Sequence, residues 1–161
     1  LPGCPAYRRI LGANVDGVVF GVRRLERVMD RGSAIVATAS LAGLTALPDD
    51  PIYTLTKHAV VGFVRSVAPQ LEARGIRINA VAPGIVDTPM IGDERERLLD
   101  AGFPLLTPDE VASAVLAAGR SEETGHVWAV QPGRQPLQFR FPNVPGPRDP
   151  AGASVGPPPE T

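Results

Sequence analysis

An α/β domain in which parallel strands are joined by helical crossovers is the fold class this sequence predicts. Three observations carry that expectation. Residues 34–39 form a short, unbroken apolar run of the kind found in strands buried on both faces. Two further strand-length runs follow at 76–82 and 126–130. Stretches with helical spacing separate them, so the order is helix, strand, helix, strand, helix, helix, strand.

Residues 5–31 place Ile10, Leu11, Val15, Val18, Val22, Leu25 and Val28 at helical spacing, with Arg23, Arg24, Arg27 and Arg31 on the polar side. One long amphipathic helix is expected, ended by Gly32 and Ser33. After the strand at 34–39, a loop over 41–49 leads to Asp50 as N-cap and Pro51 at the first helical position. The second long helix carries Leu55, Ala59, Val60, Phe63, Val64, Val67 and Leu71 toward the core and stops at Gly75. Pro69 is expected to kink it near Arg65. The strand at 76–82 closes on Pro83-Gly84, and a weaker helix is expected over 93–100. Thr107-Pro108-Asp109-Glu110 is a capping box with proline at the first position, opening a helix to about Ala118. The last predicted strand is 126–130. From Pro132 on, dense proline and glycine without periodicity indicate an extended or disordered tail, so the chain divides into a domain at 1–131 and a tail at 132–161. Pro142-x-x-Pro145 and Pro147-x-x-Pro150 match a proline-module ligand pattern, as a proline-rich tail often does by composition alone.

A chain of 161 residues with 43% apolar content suits one core, or part of a larger one. Its net charge of -1 gives no electrostatic footprint for nucleic acid, and no stretch approaches a membrane span. The expected partner is a small molecule. One cysteine, Cys4, allows no internal disulfide and fits a reducing cytoplasm. The chain opens with leucine, which points to a piece of a longer one.

The chemistry concentrates around the only lysine. Lys57 stands among fifteen arginines and lies four residues after Tyr53, one of two tyrosines. Positions four apart share a helix face, so a phenol and an ammonium can surround one small volume. A free phenol ionises near pH ~10, and one opposite charge at ~4 Å contributes ~4 kcal/mol at an effective dielectric of ~20. A field of that size could bring ionisation of the phenol toward neutrality. Ser40 at the end of the first strand and Pro83-Gly84 at the end of the second fall on the sheet edge where open α/β sheets bind ligands. His58, adjacent to the lysine, does not share its face and reads as an ordinary helix residue.

These segments resemble the short-chain dehydrogenase/reductase family. Ile35-Val36-Ala37-Thr38-Ala39-Ser40-Leu41-Ala42-Gly43 is similar to the family's fifth strand and catalytic serine, with alanines at two usually polar positions. Tyr53-x-x-x-Lys57 follows that serine at the family's distance of thirteen, Asn14 precedes it by twenty-six, and residues 79–88 resemble the Pro-Gly loop ending in threonine. The resemblance implies the C-terminal half of a Rossmann-like, doubly wound parallel sheet. It implies that Asn14, Ser40, Tyr53 and Lys57 are catalytic, with Tyr53 as acid/base, Ser40 orienting the reacting oxygen, and Asn14 holding a water linked to Lys57. It further implies that Tyr53, Lys57, Pro83, Gly84, Ile85 and Thr88 touch NAD or NADP, which performs the hydride chemistry.

Leu41, Leu44, Leu47, Met90, Ile91, Phe103, Leu105 and Leu106 suggest an apolar pocket for a hydrophobic alcohol or ketone, or equally a set of core residues. No metal site is expected. The Gly-rich turn that opens a full member is missing, since Gly12, Gly17 and Gly21 follow no strand. Two functions are therefore carried forward: an NAD(P)-dependent oxidoreductase, or a noncatalytic fragment or oligomerisation module built on the two long helices.

Overall fold

A computed structural model describes residues 4–154 and 156. The first helical region is built in three parts: α1 (Cys4–Leu11), a π-helical turn (Gly12–Asp16) and α2 (Gly17–Leu25). It stops short of the expected residue 31. The Arg74 guanidinium binds the Glu26 carbonyl at its end, and the chain turns so that Met29 folds onto the core while Val28 stays exposed. Satisfying the last carbonyls from another element ends the helix before its apolar spacing does.

β1 (Ala34–Thr38) leads through a 3₁₀ turn at Leu41–Gly43, inside what the sequence presents as loop, to α3 (Pro51–Glu72). Asp50 caps α3 as expected, its Oδ1 accepting the Tyr53 N–H at 2.9 Å. The helix continues through Pro69, and Gly75, at φ 74°, provides the left-handed stop. β2 (Arg77–Pro83), α4 (Glu94–Asp100), α5 (Pro108–Arg120) and β3 (Val127–Val130) follow. The capping box is formed: Thr107 Oγ1 accepts the Glu110 N–H, and the Glu110 carboxylate accepts the Thr107 N–H at 2.7 Å. The Thr107 N–H and the Thr107 hydroxyl, both donating to the carboxylate, hold the Glu110 carboxyl below its ordinary range.

The sheet order is β1-β2-β3-β4, with β1, β2 and β3 parallel. The register runs from Ala34 opposite Arg77 to Thr38 opposite Val81, and from Ala80 opposite Val127 to Pro83 opposite Val130. β4 (Leu137–Gln138) lies in the proline-rich tail and pairs antiparallel with β3, a strand that the sequence does not foretell. Two residues carry no detectable period. Pairing opposite Trp128 and Ala129, and a hydrogen bond from the Phe139 N–H to the Val127 carbonyl at 2.7 Å, create it from tertiary contact. Phe141 then packs on the core under the Arg65 guanidinium, 3.8 Å from its ring centre.

Helices cover both faces. Ile35, Ala37, Ile78, Ala80 and Val127 meet α2 and α3, while Val81, Val130 and Trp128 meet α5. On α3 the buried face is rotated from the expected one: Leu55 is 45% exposed and Thr56 is fully buried. The outer edge of β1 pairs with no strand among the described residues.

Candidate active site

Ser40 follows β1 in extended conformation, tied to the sheet by the Ala39 N–H donating to the Val81 carbonyl at 2.7 Å. Its Oγ accepts the Ala42 N–H at 3.2 Å, which starts the 3₁₀ turn and leaves the hydroxyl proton free to donate outward. Gly43 presses this turn against α3. A Cβ there would stand 2.6 Å from the Lys57 carbonyl oxygen and 2.9 Å from its carbon. The segment carrying Ser40 is therefore seated on the helical turn that presents Tyr53 and Lys57.

The Lys57 Nζ lies 5.5 Å from the centre of the Tyr53 ring and donates to the Thr38 carbonyl at 3.1 Å. Burial pulls its pKa below the ordinary 10.5, because an ammonium loses hydration there. Asn14 sits in the π-helical turn and donates from Nδ2 to the Thr56 Oγ1 at 3.1 Å. Asn14, Lys57 and Thr38 line one end of a cleft of about 340 Å³, whose walls are α2 and β1. The turn of α3 after Tyr53 thus meets three elements at once: the π turn, β1 and the Ser40 segment.

Pro83 ends β2 inside the core, and the Gly84 N–H donates to the Val130 carbonyl at 2.9 Å. A Cβ at Gly84 would meet Gln131 Oε1 at 3.2 Å and Leu41 Cδ1 at 3.4 Å, so Leu41 carries the Ser40 segment against this loop. The Ile85 N–H donates to no backbone group among the described residues, while its carbonyl accepts the Leu106 N–H at 2.9 Å. Residues 88–105 leave and return at that seam. Asp87 holds them through a bidentate pair with Arg95 at 2.6 and 2.7 Å, which lowers the Asp87 pKa. Thr88 turns its hydroxyl to the Val86 carbonyl at a long 3.4 Å. His58 contacts the Thr54 carbonyl of its own helix, away from the cluster.

Of the apolar residues expected near the pocket, Leu106 is fully buried core, whereas Leu47, Met90 and Phe103 are exposed. Leu106 is drawn inward because both its backbone groups are bonded to the β2 extension. Three contributors escaped the sequence reading: Thr38 through its carbonyl, Thr56 through its hydroxyl and Gly43 through its missing side chain. Only Gly43 left a trace, as the glycine closing the strand-end motif.

Against known proteins, the family model described as Enoyl-(Acyl carrier protein) reductase matches residues 5–131. The chain is 34% identical to the mitochondrial borneol dehydrogenase of Lavandula x intermedia over 128 residues, covering 74% of this chain and 49% of that protein. Among solved structures, a 3-oxoacyl-[acyl-carrier protein] reductase with bound NAD from Brucella melitensis superposes with a TM-score of 0.68 at 33% identity, covering 80% of this chain and 52% of that one. ElxO with NADP bound gives a TM-score of 0.65 at 28% identity over 80% of this chain and 58% of that one. The chain belongs to the short-chain dehydrogenase/reductase family and has a Rossmann-like α/β fold. It spans about half the length of relatives such as the borneol dehydrogenase.

Proposed function

We propose that residues 4–131 carry the proton-transfer half of an NAD(P)-dependent oxidoreductase that interconverts an alcohol and a carbonyl compound. One observation carries the reading: the Lys57 ammonium stands beside the Tyr53 ring with the Ser40 segment seated on the same turn of α3. Tyr53 gives its phenolic proton to the carbonyl oxygen during reduction and takes it back during oxidation. Lys57 stabilises the phenolate by charge. Ser40 donates its free hydroxyl proton to the reacting oxygen, holding it against the phenol. Asn14 holds a water on the path from Lys57 to solvent.

The residues present fit the nicotinamide end of the cofactor. The unpaired Ile85 N–H suits a carboxamide oxygen, Gly84 keeps the approach open, and Lys57 suits a ribose hydroxyl. Pro83 shapes the turn and Thr88 adds a hydroxyl beyond it. When bound, the nicotinamide supplies or accepts the hydride. The NAD- and NADP-bound relatives support a nicotinamide nucleotide of either kind. Exposed Met90 and Phe103 beyond the Asp87–Arg95 clasp support an apolar substrate, and exposed Phe20, Leu25 and Leu55 on α2 and α3 support assembly of like chains through these helices.

The test is Tyr53→Phe in the protein joined to its nucleotide-binding half. Turnover of a ketone panel should fall by roughly two to four orders of magnitude, the worth of a positioned acid/base. Nucleotide affinity, read by fluorescence, should stay nearly unchanged. Near-normal turnover would remove Tyr53 from the role. A chain that assembles stably and binds neither nucleotide would favour the noncatalytic module instead.

A further inference from the structure

Thr56 is fully buried at the point where α3 meets the π-helical turn, although the apolar spacing of the helix assigns the inward face to its neighbour Leu55, which is exposed. A buried hydroxyl needs partners, and this one has two. Its Oγ1 lies 2.7 Å from the Tyr53 carbonyl and 3.1 Å from the Asn14 Nδ2. The two contacts are not interchangeable. A carbonyl can only accept, so the single hydroxyl proton is committed to Tyr53. Toward Asn14 the hydroxyl then has lone pairs alone and must accept. The Asn14 carboxamide is thereby compelled to present its NH₂ to Thr56, which settles an orientation that amide geometry by itself leaves ambiguous.

The opposite end of the same planar group is the Oδ1, which accepts no hydrogen bond among the described residues. Asn14 and Lys57 both line the 340 Å³ cleft beside β1. We propose that Thr56 is a positioning residue that sets the polarity of Asn14, tying down its donor end so that the acceptor end is offered to the cleft shared with Lys57. The carbonyl of Tyr53, the hydroxyl of Thr56 and the amide of Asn14 then form one directional chain, with every proton pointing toward Tyr53. An acceptor in the cleft suits a donor such as the Lys57 ammonium or a water bonded to it, and it would repel neither. A reversed amide would set two donors against each other. The contact rests on geometry alone, and its consequence for proton traffic rests on the function proposed above.

The test uses the ¹⁵N-labelled chain without nucleotide. In the native protein, one Asn14 side-chain amide proton should exchange slowly with solvent and show proximity to the Thr56 side chain; Asn14→Asp identifies the resonances. Thr56→Val keeps the shape and removes the hydroxyl, and should speed that exchange by roughly fivefold or more, the worth of one ordinary hydrogen bond. Thr56→Ser should restore slow exchange. Equal exchange in native and Thr56→Val protein, or equal loss in Thr56→Ser, would overturn the proposal. If Thr56→Val fails to fold, the native measurement still decides, since a rapidly exchanging Asn14 amide contradicts the contact. In the nucleotide-competent protein, Thr56→Val should move the pH profile of kcat/KM by roughly half a unit while Thr56→Ser leaves it in place. A uniform loss with an unmoved profile would mean the hydroxyl serves stability alone. Failure of nucleotide binding would sink the proposed function and leave the exchange result standing.

Discussion

Replacing Gly43 by alanine tests how the candidate site is held together, because the substitution adds one methyl group against backbone atoms. The Cβ would lie 2.6 Å from the Lys57 carbonyl oxygen, 2.9 Å from the carbonyl carbon and 3.1 Å from Val61 Cγ2. Val61 can shift its side chain, but the carbonyl belongs to α3 and cannot move without the helix. Recovering an ordinary contact of 3.4 Å requires the Ser40 segment and α3 to separate by about 0.8 Å. Overpacking of this kind costs about 1–3 kcal/mol, and each kcal/mol lowers Tm by about 2–4 °C for a chain of this size. A fall of about 2–12 °C is expected by calorimetry or circular dichroism. Gly62→Ala is the matched control: Gly62 lies in α3 with nothing within 4 Å of its added Cβ. That change should raise stability by up to about 1 kcal/mol through helix propensity alone. A Gly43→Ala chain melting within a degree of the native one would refute the argument that this seam is closed by backbone contact.

Lys57→Met removes an ammonium that burial disfavours, so at neutral pH it should cost the fold little or stabilise it. Because the folded pKa lies below 10.5, the native chain gains stability as pH rises from that lowered value toward 10.5, where the unfolded chain still holds the proton. The variant lacks that gain, and urea titrations across this window should show the difference between the two chains changing in favour of the native one; parallel pH dependences would contradict a desolvated lysine. Asp87→Asn should speed amide exchange in α4 at neutral pH by releasing Arg95. The Asp87 pKa is held below 3.8, so the native advantage should persist above that value and disappear as pH falls through the lowered one. Unchanged exchange in the variant would mean the segment is held elsewhere. A chain ended after Arg134 loses β4 and the Phe141 contact with Arg65 and exposes the β3 edge; sedimentation should reveal stronger self-association than in the full chain, and identical sedimentation and melting would show the tail strand to be dispensable.

Those residues also mark how far the sequence could be read. Strands, helices and the capping box at Thr107 follow from apolar spacing and local hydrogen-bond chemistry, which act within a few residues. Tyr53, Lys57 and Ser40 were legible for the same reason, since a helix face and a strand end are local facts. Thr56 was not, because a threonine buried for its hydroxyl looks polar to any pattern of apolar positions, and it displaced Leu55 from the expected face. The shortening of the first helix was hidden because its terminator, Arg74, comes from the turn after α3, far along the chain. β4 was hidden because its two residues become a strand only when β3 offers its edge. What remained out of reach in each case is a partner distant in sequence.

The strand order carries one more consequence, for the order of assembly. Each strand is hydrogen-bonded to the one made just before it, β1 to β2, β2 to β3 and β3 to β4. No strand has to be inserted between two that already pair. Among the described strands, each new one can therefore be added at the edge that the previous one left open. Among these strands the open edge moves from β1 to β3, and Leu137 and Gln138 pair with it last.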